Sequence, residues 1–318
     1  MGSFQNRELI PIKNNKLKGP IYCVLAAMIW GLGFVSQKSG AHIGTLTFNG
    51  IRTLLGGLVL IPVVIYTHRK SNKDLPEGEK KKFDFKGTLI GGLFCGLALC
   101  IAGNLQQHAF SFEIEAGKVG FITALYMILV PIFGLFLGQR PRPNVWLGVV
   151  FGIGGLYLLC MKKGSFAMGK GEFFAFLCAI CFAIHILVID YFCNKVENGV
   201  ALSCFQFLVA GIISVIGMFI FEEPKLADIL DSAVPILYAG IGSCSFAFTL
   251  QIFGQRYTEP AVSSLLFCLE SVFGVIFGWL ILHDVLGTRA LTGCIIMFIG
   301  VVLTQISFEK RGEKKLNG

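Results

Sequence analysis

One carboxyl stands apart on chemical grounds. Glu270 lies near the middle of the apolar run from Ala261 to Leu282 and is the only acidic or basic residue in it. A charged side chain at the centre of such a run costs about 2.5–3.5 kcal/mol on insertion scales, so its presence needs a reason. Two reasons fit. A carboxyl taken out of water can bind a cationic group or exchange a proton near neutral pH. Alternatively, in its protonated form, it can tie neighbouring helices together by hydrogen bonding. His185 sits in a second apolar run, five residues before Asp190. An imidazole titrates in the physiological range, so coupling to Glu270 is one expectation, and a satisfied packing role is the other. Arg52 lies five residues into a third run; it can snorkel to the interface or hold an anion. The amides of Asn104, Gln107, Gln206 and Gln251 could line a polar path or bridge helices. Trp30 and Tyr126 could stack on a planar ligand, or serve only as core or lipid-facing rings. Pro131 is expected to kink its helix, as a hinge or as a static bend.

Other chemistries are poorly supported. Cys178 and Cys181 form a CxxC, but it lies in an apolar run with no second pair and no nearby cluster of histidines. Nearly all of the 11 cysteines sit in such runs, where thiols act as small hydrophobes, so neither a metal nor any other cofactor is implied. No Gly-x-x-x-x-Gly-Lys-Ser/Thr phosphate loop occurs, and no polar segment is long enough to hold a nucleotide-binding domain. Membrane-embedded lipid chemistry would need clustered carboxylates on a metal, or a nucleophile with its base. The ionisable residues here are few and scattered, so no enzyme is expected.

These residues are set in 318 positions that are 54% hydrophobic and only 14% charged. Soluble domains average about 25% charged residues. The chain is therefore expected to be an all-α polytopic membrane protein. Ten runs are long enough to span a bilayer: about 20–37, 47–67, 87–110, 117–138, 144–161, 171–193, 201–221, 233–254, 260–282 and 288–307. The net charge of +8 has a topological explanation. With the N-terminus inside, 19 of the 27 Lys and Arg fall in cytoplasmic segments and 7 in outer ones, with Arg52 inside a span. The positive-inside rule then places both termini in the cytoplasm and removes any need for a nucleic-acid partner. The first run has the basic start of a signal peptide, but no small-residue cleavage site follows Trp30, so an uncleaved span is expected. Glycines four apart (Gly92/Gly96, Gly134/Gly138, Gly148/Gly152, Gly274/Gly278) read as close helix contacts within one bundle, and a homodimer is the second option.

The chain also repeats itself. Lys18-Gly19 recurs as Lys170-Gly171, Phe133-Gly134 as Phe277-Gly278, and Gly148 and Gly155 as Gly293 and Gly300. This divides it into a tail (1–18), two five-span halves (19–161 and 171–307) and a second tail (308–318). Because five is odd, the second half enters the membrane inverted. Transporters of this build bind cargo near the midplane between the halves. In the repeat register Glu270 pairs with Tyr126, so both are expected to face one central cavity. Alternating access by a secondary carrier follows as the leading expectation, with protons, through Glu270, as its coupling ion.

Several stretches resemble the EamA-type repeat of the drug/metabolite transporter superfamily: Trp30-Gly31, Phe48 to Arg52, Leu105-Gln106-Gln107, and Thr123-Ala124-Leu125-Tyr126 to Val130-Pro131. In the second half, Leu269-Glu270-Ser271-Val272-Phe273, His283-Asp284 and Gly293 to Gly300 are similar to the ending of that repeat. Ser271 stands where a Pro is common, and Gln139-Arg140 and His283-Asp284 replace the usual Gly-Glu. The resemblance implies a ten-helix carrier that moves small metabolites, often outward, across a bacterial cytoplasmic membrane. An amino acid, amine or similar low-charge cargo is expected. A nucleotide-sugar or phosphorylated-sugar exchanger is the alternative, but phosphate calls for several in-span cations, and Arg52 is the one present.

Overall fold

The structure is a computed structural model that describes residues 17–73, 75–76, 79–80, 82–161, 169–282 and 287–305. His283-Asp284 and the tail beyond residue 305 lie outside those residues, as do the tail residues before 17. Among the described residues there are helices and no strands. Ten helices are long and apolar enough to cross a membrane: Lys18–Ser39, Thr45–Asn72, Phe85–Phe110, Ala116–Phe136, Pro143–Cys160, Lys170–Cys193, Gly199–Phe221, Ala233–Tyr257, Pro260–Phe277 and Thr288–Gln305. They are spans 1 to 10, matching the ten apolar runs in number and order. A short helix, Leu226–Asp231, precedes span 8. Large side chains such as Phe136, Phe219 and Phe221 point outward, as expected where hydrocarbon rather than water surrounds the bundle.

Four spans are not continuous α-helices. Span 1 is broken between Trp30 and Gly33. Span 4 divides into Ala116–Thr123 and Tyr126–Phe136, and span 9 into Pro260–Phe267 and Leu269–Leu282. The breaks in spans 4 and 9 share one register: Ala116 and Pro260, and Thr123 and Phe267, are each 144 positions apart. Each break is tightened by a short backbone bond, Met127 N–H to Ala124 C=O at 3.0 Å and Ser271 N–H to Cys268 C=O at 3.2 Å. Such 3₁₀-type bonds re-pair groups that an interrupted helix would otherwise leave open. Span 4 runs on as helix through Pro131, so its interruption lies nearly two turns before that proline. Span 8 contains a π-helical stretch, Tyr238–Ala247. There Ser245 Oγ donates to Gly240 C=O five residues back, at 3.1 Å, and to Gly56 C=O on span 2, at 3.0 Å.

Geometry requires glycine at Gly44, and at Gly155 and Gly293. Gly44, which precedes span 2, has φ +100° and leaves the first amides of that span free. Glu222, at the end of span 7, takes them: Leu46 N–H and Thr47 N–H donate to its two oxygens at 2.9 and 2.8 Å, and Thr47 Oγ1 donates at 2.7 Å. A carboxylate on the positive end of a helix is well placed electrostatically. At the same end of the bundle Lys118 pairs with Glu172, tying span 4 to span 6.

Spans 5 and 10 pack along each other at the edge of the bundle. Backbone meets backbone at Gly155 and Gly293: a Cβ on Gly293 would lie 2.6 Å from Gly155 C=O and 2.8 Å from Leu159 N. Gly154, one residue away, has open space around it. Overpacking a fitted interface costs about 1–3 kcal/mol. Gly293→Ala is therefore expected to lower the unfolding temperature of the detergent-solubilised protein by several degrees, while Gly154→Ala leaves it unchanged. Equal melting temperatures for the two variants would show that the spans 5–10 contact is not close-packed.

Candidate functional site

A cavity lies at the level of the breaks in spans 1, 4 and 9 and of the π-helical part of span 8. It encloses about 720 Å³, its opening included, and every span except 5 and 10 contributes to its wall. The wall is largely aromatic. Trp30 packs edge-on against Phe248, with ring centroids 4.8 Å apart, and against Phe267 at 5.4 Å; Phe207 meets Phe248 at 5.3 Å. Phe34 and Phe182 extend this surface.

Two charged residues of opposite sign line the same cavity, Arg52 and Glu270, both buried. Arg52 is held from its inner edge. Its Nε donates to Asn49 Oδ1 at 2.9 Å, and its guanidinium carbon lies 5.6 Å from the centre of the Phe48 ring. Asn49 is fixed in turn: its Nδ2 donates to Asn104 Oδ1 at 3.0 Å, and Asn104 Nδ2 donates to Ser214 Oγ at 2.9 Å and to Cys100 C=O at 2.9 Å. This chain of amides joins spans 2, 3 and 7 behind the guanidinium. Glu270 begins the second half of span 9, with Tyr126 at the matching place in span 4. Among the described residues neither Arg52 nor Glu270 is in an ion pair, and Glu270 accepts no hydrogen bond.

Of the residues singled out from the sequence, Glu270, Arg52, Tyr126, Trp30 and Gln251 line this cavity. The other four, His185, Asn104, Gln107 and Gln206, do not. His185 is fully buried behind the aromatic wall, between the rings of Phe182 and Phe248, with Nε2 3.1 Å from Gln206 Oε1. Nδ1 has no partner among the described residues. Asn104 supports Asn49 from behind, and Gln107 donates to the backbone carbonyl of Gln37 at 2.9 Å. His185 and Glu270 therefore face different surroundings. Asp190, five residues on, accepts from Gln139 at 3.3 Å.

Sequence reasoning missed Asn49, Thr53, Gln37, Gln106 and the rings other than Trp30 and Tyr126. Asn49 had a signal: it stands three residues before Arg52 on the same helix face, the spacing at which side chains meet. The rings had none, since 30 phenylalanines give no way to choose among them. Toward the end of the bundle where span 1 begins, hydrogen bonds tie span 8 to the end of span 6. Gln251 Nε2 donates to Gln255 Oε1 at 2.9 Å and Gln255 Nε2 to Ile186 C=O at 2.8 Å; below them Arg256 binds the carbonyls of Cys193 at 2.8 Å and Val196 at 2.9 Å. No group of three or more His, Cys, Asp or Glu side chains suited to a metal occurs among the described residues.

Comparison with known proteins gives a consistent answer. The EamA-like transporter family matches the chain twice, over residues 17–161 and 169–306. The uncharacterized transporter YoaV of Bacillus subtilis (strain 168) is 22% identical over 294 residues, covering 91% of this chain and 97% of that protein. A transporter of Archaeoglobus fulgidus is also 22% identical over 294 residues, covering 92% and 87%. A WAT1-related chloroplastic protein of Arabidopsis thaliana is 24% identical over 288 residues, covering 86% and 66%. A solved crystal structure with 17% identity superposes with a TM-score of 0.71 over 90% of this chain and 95% of its own, which shows a shared fold.

The amide chain makes a testable demand. Asn104→Leu leaves Asn49 Nδ2 without an acceptor in a buried site, at about 1–3 kcal/mol, and reduces Ser214 Oγ to its contact with the Cys100 thiol at 3.5 Å. Ser214→Ala removes one end only. The expected order of unfolding temperature in detergent is wild type, then Ser214→Ala, then Asn104→Leu, and a reversed order of the two variants would break the chain as drawn.

Proposed function

The chain belongs to the EamA-like transporter family, and from that premise we propose that this multi-pass membrane transporter is a secondary carrier whose cargo binds between Arg52 and Glu270. The observation that carries the reading is the cavity itself: two unpaired charges on an aromatic wall, at the level where four spans give up regular helix. Lone charges at membrane depth otherwise cost too much to keep. Interrupted helices at the midplane are also the feature by which carriers expose backbone and polar groups to cargo.

The cargo on this reading is a small, low-charge metabolite such as an amino acid or amine. Among the described residues Arg52 is the only basic one on the cavity wall, which disfavours phosphorylated or nucleotide-linked sugars, whose phosphates call for several cations. The family assignment points to a transporter and away from lipid-modifying chemistry. The halves 19–161 and 171–307 act as inverted repeats that rock about the cavity, a reading supported by the common register of the breaks in spans 4 and 9. Both termini face the cytoplasm, as the Lys and Arg bias requires, and the membrane is the bacterial cytoplasmic one. Transport runs outward. Glu270 couples it to protons because one carboxyl can hold a proton or a cationic group, but not both. The monomer contains a whole cavity, so a homodimer is not needed for transport.

The test is metabolite export from cells expressing wild type or Glu270→Gln at matched levels in the membrane. Removing one charged partner from a buried contact costs about 2–5 kcal/mol, which exceeds a tenfold effect. At least one small metabolite should therefore accumulate outside cells with the wild type and drop more than tenfold with the variant. Equal accumulation in both would remove Glu270 from the cycle. In proteoliposomes, a pH gradient should drive wild-type cargo against its own gradient; failure to do so with an active carrier would end the proton proposal.

A further inference from the structure

Hydrogen bonds cross between spans at both ends of the cavity, and the two ends are not bonded alike. We infer that Arg256 is a lock on the cytoplasmic gate: it holds the ends of spans 6 and 8 together, makes that end the harder one to open, and leaves the cargo-free carrier opening mainly to the outside. The inference rests on the carrier reading above and on the orientation proposed with it.

Spans 3 and 8 share a register: Gly96, Cys100 and Gln107 stand 144 positions before Gly240, Cys244 and Gln251. Each of the two glutamines begins a bond that crosses to another span. Gln107 Nε2 donates to Gln37 C=O on span 1 at 2.9 Å, and Gln37 lines the cavity. Gln251 Nε2 donates to Gln255 Oε1 at 2.9 Å, and Gln255 Nε2 donates to Ile186 C=O on span 6 at 2.8 Å; Gln251 and Ile186 line the cavity as well. Gln37 stands near the far end of span 1, whereas Gly19, at its start, packs on Gly254 and Tyr257 of span 8. The two bonds therefore lie at opposite ends of the bundle. Both suit a gate. One amide oxygen is unpaired at each end, on Gln107 and on Gln251. Opening an end gives up a neutral bond there but lets water reach the orphan oxygen, so the two changes offset each other.

Arg256 upsets that balance at one end only. It follows Gln255, and its three nitrogens bind three carbonyls where span 6 finishes: Nε to Cys193 at 2.8 Å, Nη2 to Val196 at 2.9 Å and Nη1 to Glu197 at 3.3 Å. Span 6 ends at Cys193, so the guanidinium sits at the negative end of that helix. Hydrogen bonds from a charged donor are about twice as strong as neutral ones. In the same register span 3 carries Phe112, whose side chain has no donor and stacks on Phe174 with ring centroids 5.6 Å apart. The amide bond at the outer end thus lacks a charged clamp in the matching place. Arg256 does not border the cavity, so it acts on the gate without touching cargo.

Cys244 reports on both gates. It lines the cavity, is 2% exposed, and lies about three helical turns from Arg256, beyond the reach of simple fraying at the end of span 8. The full-length protein is labelled with a small membrane-impermeant methanethiosulfonate that carries a quaternary ammonium group. Labelling is run on whole cells and on inside-out vesicles, and the mass shift of the Cys244 peptide is followed with time. Wild type should label faster from outside. Arg256→Gln should speed labelling from the cytoplasmic face about tenfold or more, the change expected when bonds to a charged group are lost. Arg256→Lys, which keeps a charged donor, should speed it less, and Gln107→Leu should speed labelling from outside only. If Arg256→Gln is not recovered in the membrane, Arg256→Lys must still label faster than wild type from the cytoplasmic face. Cytoplasmic labelling that is unchanged in the Arg256 variants overturns the inference, as does an equal gain from both faces or equal labelling of wild type from the two. The expected pattern with the faces exchanged would overturn the cytoplasmic placement of this gate and of the termini, and would keep Arg256 as the lock. Labelling reads access rather than export, so it can fail while the export test of the carrier reading succeeds, and the reverse.

Discussion

A backbone that crosses hydrocarbon must pair its own N–H and C=O groups, because no water is there to do it. Every feature of the cavity depends on how this protein departs from that constraint while still meeting it. Spans 1, 4 and 9 are interrupted and span 8 is widened where each of them borders the cavity. The freed groups are re-paired locally. Ala124 and Cys268 close their own breaks through short backbone bonds, and the Cys268 thiol reaches across to Ala124 C=O at 3.6 Å. The two breaks thus support each other. Straight, fully bonded helices at this level would leave the side chains of Tyr126 and Glu270 packed against neighbours instead of bordering a space.

The charges set the second constraint. Arg52 and Glu270 face one cavity from spans 2 and 9 without pairing, so neither has a protein counter-charge among the described residues. The amide chain behind Arg52 works against collapse. With Nε bound to Asn49, and Asn49 held through Asn104, swinging the guanidinium over to Glu270 would break the Arg52–Asn49 bond and leave the Asn49 oxygen without its donor. A collapsed pair would be neutral and closed, with nothing left for a ligand. The cost of breaking buried amide bonds, about 1–3 kcal/mol for each group left unpaired, is large enough to matter beside a contact between two charges. Asn49 thereby restrains Arg52 while bordering the cavity itself.

The architecture was legible in the sequence and the inside of the site only partly so. Ten apolar runs and their order could be read directly because the bilayer imposes length and composition on each one. Glu270 and Arg52 could be read because a charge inside such a run has few structural excuses. His185 shows where that reasoning stops: it stands at membrane depth like Glu270, yet it faces Gln206 and two rings instead of the cavity. Which way a helical side chain points depends on packing, and an apolar all-round span hides its own orientation. The break in span 4 escaped for a related reason. Pro131 was the visible signal for a bend, but helix runs through it, and the interruption lies at Ala124 and Leu125, where no residue type announces it.

The matching breaks carry the last step. If the halves are inverted repeats, a scaffold that is symmetric in backbone would favour neither of its two access states. This chain departs from symmetry at defined places. Span 8 holds a π-helical stretch that span 3 lacks, and span 1 is broken where span 6 is continuous. At the paired breaks a phenol, Tyr126, stands opposite a carboxyl, Glu270. On the proposed inverted-repeat reading, symmetry would supply two states of similar energy, and these differences would set the gap between them. A ligand moves such an equilibrium only by its difference in affinity for the two states. That difference is available where the lining is asymmetric, at Glu270 and the π-helical stretch of span 8, and not at Gly155 and Gly293, where spans 5 and 10 meet as near equivalents.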